Sequence, residues 1–129
     1  MANFYDIFNK KLIEFINDLI YICPEVDDFK SFKIATHMSA CTAPKLPQKM
    51  FNECVVQPYS NKIVERDENF FLTESYSNFD DYFKEFGYTI DIVGSLKSIW
   101  KTLDDENKKT IWKYLQILMQ ISNKCISPI

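Results

Sequence analysis

From Asn3 to Cys23 the apolar side chains fall at Phe4, Phe8, Leu12, Phe15, Ile16, Leu19, Ile20 and Cys23. Steps of three and four residues return to one side of an α-helix, so this spacing commits the segment to a rod whose single apolar face must be covered. Asn3 is placed to cap the rod, Asp6 sets a carboxylate in its first turn, and Pro24 ends it by restricting Cys23 and removing a ladder donor. Such a rod needs other helices to pack against. Only two glycines in 129 residues leave little material for the tight turns of an all-β fold. One domain of this length buries roughly two thirds of the surface its unfolded chain exposes, enough for a core without disulfides.

The rest of the chain repeats the helical signal between clear breaks. A second helix is expected with Asp27 or Asp28 as its cap and Phe29, Phe32, Ala35 and Met38 on one face, stopping before Pro44. Thr42, Pro44 and Pro47 mark a loop. Pro47 then suits the first turn of a third helix through Met50, Phe51, Cys54 and Val55, and Pro58 the start of a fourth through Ile63. The run Cys54-Val55-Val56 also fits a strand. Residues 65–91 turn acidic, with eight carboxylates against Arg66 and Lys84, a local balance of −6. The aromatic residues between these charges argue for a folded connection with a short helix near 78–86, and Gly87 suits a helix C′ position. A helix is expected from Asp91 to Leu103, with Ile92, Leu96, Ile99 and Leu103 inward and Val93 and Trp100 beside them. Gly94 within it fits a close helix crossing, since an exposed mid-helix glycine costs about 1 kcal/mol relative to alanine. The last helix spans Asp105 to Lys124. Its polar stripe is narrow (Lys109, Lys113, Gln116, Gln120 and Asn123), so it should touch several neighbours.

Both tryptophans lie in SIWKTLDDENKKTIWKYL, where Ile-Trp-Lys occurs twice. On one unbroken helix, twelve residues at about 100° each would leave the rings about 120° apart. The run Asp104-Asp105-Glu106-Asn107 instead reads as a cap and first turn, which folds the chain into a hairpin and lets Trp100 and Trp112 face its seam. Core packing, with each buried indole N–H finding an acceptor, is the expectation. The fold class predicted is all-α: a single domain, 1–129, of five to seven helices closed by a carboxy-terminal helical hairpin.

The ending SIWKTLDDENKKTIWKYLQILMQIS, the opening FNKKLIEFINDLIYICPEVDDFKSFK and the middle RDENFFL resemble small helical proteins of unknown function encoded by large nucleocytoplasmic DNA viruses of protists and algae. The likeness is one of texture, rich in Asn, Lys, Ile and Phe and poor in glycine. It implies a viral protein of the host cytoplasm or the virion, and it brings no activity and no functional residues with it.

Chemistry-bearing motifs are sparse. There is no glycine-rich phosphate loop, no Gly-x-Ser-x-Gly elbow and no His-Glu-x-x-His, so no enzymatic activity, catalytic residue, cofactor or metal is predicted. His37 and Cys41, four apart, match two ligands on one helix face, but two more are not in sight. Glu65, Asp67 and Glu68 lack the spacing of an EF-hand loop and read as a solvated charge run. Cys23, Cys41, Cys54 and Cys125 are far apart and read as four buried thiols. The amino terminus has no basic n-region and no window is apolar enough to span a bilayer, which predicts a soluble, intracellular protein; Ala2 excludes myristoylation and the ending Ser-Pro-Ile offers no prenylation box.

A net charge of −3 argues against general polyanion binding. Lys97, Lys101, Lys108, Lys109 and Lys113 nevertheless gather on the terminal hairpin and form the alternative, a nucleic-acid contact diluted by the acids beside them. The leading expectation is a non-enzymatic interaction or virion-associated protein whose partner is a viral or host protein, or a second copy of the chain. Its expected contact surface is Phe70, Phe71, Tyr76, Phe79, Tyr82 and Phe83, aromatics interleaved with charge as in a hot spot with a polar rim. Packing of the same rings beneath an irregular loop is an equally good reading.

Overall fold

The computed structural model of the chain describes residues 3–73 and 92–126, and every regular element among them is helical. Helix α1, Phe4–Ile22, begins where Asn3 Oδ1 accepts from the N–H groups of Tyr5 and Asp6 at 2.9 and 3.4 Å. It ends two residues before Pro24, with Cys23 N–H on the Leu19 carbonyl. Phe8, Leu12, Phe15, Ile16 and Leu19 are buried along its length, each worth about 2 kcal/mol of transfer free energy.

Helix α2, Asp27–Thr42, stops before Pro44 as expected but departs from expectation at its start. Its N-cap is Val26, which makes no side-chain cap bond, and the two aspartates occupy the first turn. Asp28 is used across the fold instead: its Oδ2 accepts the Ser95 hydroxyl at 3.2 Å. The inward face is Phe29, Phe32, Ala35 and Thr36, whereas Met38 is 55% exposed. Steps of three drift about 60° each on a helix, so the run 29, 32, 35, 38 has turned about 180° by its last member. Met38 therefore joins Ile34 and Cys41 on the outer side.

Pro58 stands in the first turn of the helix Gln57–Glu65, as expected, but that helix is not separated from the one before it. The stretch Leu46–Phe51 continues through a π-helical turn, Asn52–Val56, into Gln57–Glu65, and the three form one rod, α3. In an unbroken α-helix the ring of Pro58 would press on the Cys54 carbonyl and leave it without a donor. The wider turn just before the proline, closed by Gln57 N–H on the Asn52 carbonyl, absorbs that conflict. It also sets the buried Phe51, Val56 and Ile63 at steps of five and seven on one side of the rod. The strand alternative for Cys54-Val55-Val56 is thereby excluded. The rod stops at Arg66, which is left-handed at φ 53°, ψ 48°; its N–H bonds the Ile63 carbonyl while Asp67 N–H bonds that of Lys62 at 3.0 Å. This is a Schellman stop with arginine where glycine is preferred.

Asp67 then caps the short helix α4, Glu68–Thr73, by accepting from Phe70 N–H at 3.0 Å. Helix α5, Ile92–Trp100, is shorter than expected, because Thr102 closes it: backbone and hydroxyl both donate to the Ile99 carbonyl. Residues 101–104 reverse the chain, and Asp104 caps helix α6, Asp105–Ile126, through Asn107 N–H at 2.8 Å. The short helix expected near 78–86 and Gly87 lie outside the described residues.

The result is an all-α bundle around a single hydrophobic cluster. Helix α1 lies against both α2 and α6, α3 packs against all three, and α5 rests on α2. The arms of the carboxy-terminal hairpin thus lean on different neighbours and meet at their tryptophans. Two polar links fix the register of the rods: Gln48 Nε2 donates to the fully buried Ser122 hydroxyl at 2.8 Å, and Asn9 Nδ2 to the Pro44 carbonyl at 2.9 Å. Either link must be broken for its rods to slide, which exposes a buried donor without a partner.

Candidate functional site

Where α4, α5 and α6 meet α1, the bundle leaves a partly open apolar cavity of about 160 Å³. Its wall takes Leu12 and Phe15 from α1, Ile63 from α3, Phe71 and Leu72 from α4, Leu96 and Trp100 from α5, and Trp112 and Leu118 from α6. Helices of bulky aromatic side chains leave it because rigid rings cannot bend to fill the space between rods.

A train of rings runs from this cavity to the surface. Trp100 meets Trp112 edge to face with centroids 5.7 Å apart, Trp112 meets Phe71 at 5.5 Å, and Phe71 meets Phe70 at 5.5 Å. Tyr59 of α3 completes the outer end, 5.7 Å from Phe70 and 6.0 Å from Phe71. Charged groups border the rings: Lys62 Nζ lies 5.0 Å over Phe70 and 3.4 Å from Asp67, while Lys108 Nζ lies 5.6 Å over Trp100 and 3.6 Å from Glu68. The two tryptophans expose only 8% and 7% of their surface, so they belong to the interior. Contrary to expectation, the buried Trp100 Nε1–H finds no acceptor.

The site residues read from the sequence divide accordingly. Phe70 and Phe71 are brought together, Phe71 turned to the core and Phe70 half-buried at the lip. Tyr76, Phe79, Tyr82 and Phe83 lie outside the described residues. Of the lysines, Lys101, Lys109 and Lys113 are exposed, Lys108 is engaged with Glu68, and Lys97 lines the cavity. His37 and Cys41 both face outward on α2, and no group of three metal-ligating side chains stands among the described residues. The acidic run is spent on structure, Asp67 as a cap and Glu68 in an ion pair. The four thiols are free but not all buried: Cys23 is buried, Cys54 and Cys125 are half-buried, and Cys41 is exposed by the drift that turns Met38 outward. Burial pushes the thiols of Cys23, Cys54 and Cys125 up, away from the reactive thiolate.

Tyr59 carried no periodic signal, and the cavity has no counterpart in sequence. A second cluster also escaped it. The Tyr114 hydroxyl of α6 donates to Asp18 Oδ2 at 2.5 Å and lies 3.1 Å from Glu14 Oε1, while its ring stacks on Phe15 with centroids 5.0 Å apart. Burial first, and then the bonded carboxylate of Asp18, hold its ionisation well above the ordinary tyrosine range. No helix among the described residues is long and apolar enough to cross a membrane. Against known protein families, curated proteins and solved structures, the chain matches none.

Proposed function

We propose that the protein is a non-enzymatic interaction protein that grips a protein partner with the lip formed by α3 and α4. The observation that carries this reading is the half-buried pair Tyr59 and Phe70, bordered by Lys62, Asp67, Glu68 and Lys108. Partly exposed rings backed by a packed core and ringed by charge have the anatomy of an interface hot spot, where a few anchors supply most of the affinity and the rim excludes water. A second copy of the chain is the simplest partner, and the resemblance to viral proteins points to a host or viral partner in the cytoplasm or the virion.

Affinity capture and sedimentation of the wild type and of Phe70→Asp test the reading. A partner held in constant stoichiometry, or a dimer, that is lost in the variant while helicity is kept supports it; a partner retained by the variant refutes the assigned surface. A second reading, nucleic-acid contact, draws on Lys109 and Lys113, both exposed one turn apart on α6. Salt-dependent binding to a DNA or RNA duplex that falls with Lys109→Glu and Lys113→Glu would favour it over the first.

A further inference from the structure

We propose that the outward face of α2 carries half of a zinc site, His37 and Cys41, which a second copy of the chain completes as a Cys₂His₂ centre on a two-fold axis. The two side chains are exposed and stand one turn apart. Residues four apart on a helix have Cβ atoms about 5–6 Å from each other, so an imidazole nitrogen and a thiolate sulfur can reach one ion at about 2.0 and 2.3 Å. Thiolate and imidazole together select zinc over magnesium or calcium, and zinc in a structural site takes four ligands. One chain supplies two, since no group of three metal-ligating side chains stands among the described residues.

The missing pair has a ready source. At about 100° per residue, Ile34, His37, Met38 and Cys41 fall within an arc of about 100° on α2. Ile34 and Met38 expose 58% and 55% of their surface, so the two ligands are set in an apolar stripe. A two-fold axis through the ion lays the same stripe of a second copy onto this one. It supplies the second His37 and Cys41 and withdraws both apolar pairs from water. Charge favours the closure. Each Cys41 thiol releases its proton to solvent on binding, and two thiolates with two neutral imidazoles cancel the charge of Zn²⁺, so no net charge is buried between the copies. This face holds none of the residues of the α3–α4 lip, and the site stands whether or not the reading of that lip holds.

The test uses the full chain under a phosphine reductant, which keeps Cys41 a thiol, with zinc chloride or cobalt chloride added. Zinc is expected to bind at one ion per two chains and to double the sedimenting mass, and EDTA to reverse both. Cobalt should show thiolate charge-transfer and tetrahedral ligand-field absorption at the same ratio. His37→Ala and Cys41→Ser, both outward on α2, should keep helicity, weaken zinc binding more than about a hundredfold and abolish the doubling, since a direct ligand is worth more than a group that only orients one. Cys125→Ser and Phe70→Asp should leave the zinc-dependent doubling unchanged, which separates this dimer from contact through the lip. Binding of one zinc per chain without a change in mass overturns the shared centre. Absence of zinc binding in the micromolar range, or a zinc-dependent dimer that survives in either ligand variant, overturns the site.

Discussion

Replacing Tyr114 with phenylalanine keeps the ring that stacks on Phe15 and removes only the hydroxyl shared by Asp18 and Glu14. A hydrogen bond to a charged acceptor contributes about 1.5–3 kcal/mol. The Asp18 bond is part-buried and belongs at the lower end of that range; the Glu14 bond is exposed, competes with Lys11 at 3.2 Å and adds little. The expected loss is about 1.5 kcal/mol at neutral pH, or roughly 5 °C in Tm for a chain of this size. Urea unfolding of the wild type, Tyr114→Phe, Asp18→Ala and the double variant measures it, with a coupling of about 1 kcal/mol between the two sites.

The pH dependence adds a second readout. Tyr114 holds its proton to higher pH in the folded state than in the unfolded chain, where it leaves near the ordinary value of about 10. Its contribution is therefore complete below that pH. Above it the folded state binds more protons than the unfolded, and the difference between wild type and Tyr114→Phe shrinks, by at most about 1.4 kcal/mol per pH unit. A difference that stays constant to pH 11, or a coupling below about 0.3 kcal/mol, would refute the assigned hydrogen bond.

Three further outcomes are expected. Arg66→Gly relieves the left-handed backbone at the end of α3 and raises stability by about 0.5–1 kcal/mol in urea titration, since the Gln116 contact it gives up is an exposed one at 3.3 Å; a loss of stability would show that contact to be the stronger term. With a thiol reagent on the native protein, Cys41 reacts first, Cys54 and Cys125 follow slowly and Cys23 waits for unfolding; early modification of Cys23 would contradict its burial. Iodide quenches tryptophan fluorescence severalfold less in the folded chain than in urea, and equal quenching in the two states would place the indoles at the surface.

The helices that stand on their own periodicity were readable residue by residue. Asn3, the phenylalanine and leucine run of α1, the Asp104 cap and the wide apolar face of α6 are local signals, because a cap and a 3.6-residue rhythm involve only neighbours along the chain. The reversal between the tryptophans followed from the same kind of signal. Met38 departs from its expected face because a steady step of three turns away from any one side of a helix, and the sequence carries no sign of the π turn that joins the helix opened by Pro58 to the one before it.

What the tertiary structure alone decided are the meetings of distant residues. Tyr114 with Asp18, Gln48 with Ser122, Ser95 with Asp28 and Phe71 with Trp112 join positions far apart in sequence, and none is implied by the pattern of either partner alone. The cavity and its unpartnered indole belong to the same class, since empty space is what remains after several rods of fixed shape have packed. Local hydrogen bonding and periodicity set which segments become helices; only their mutual fit determines which polar atoms find partners and where a void is left.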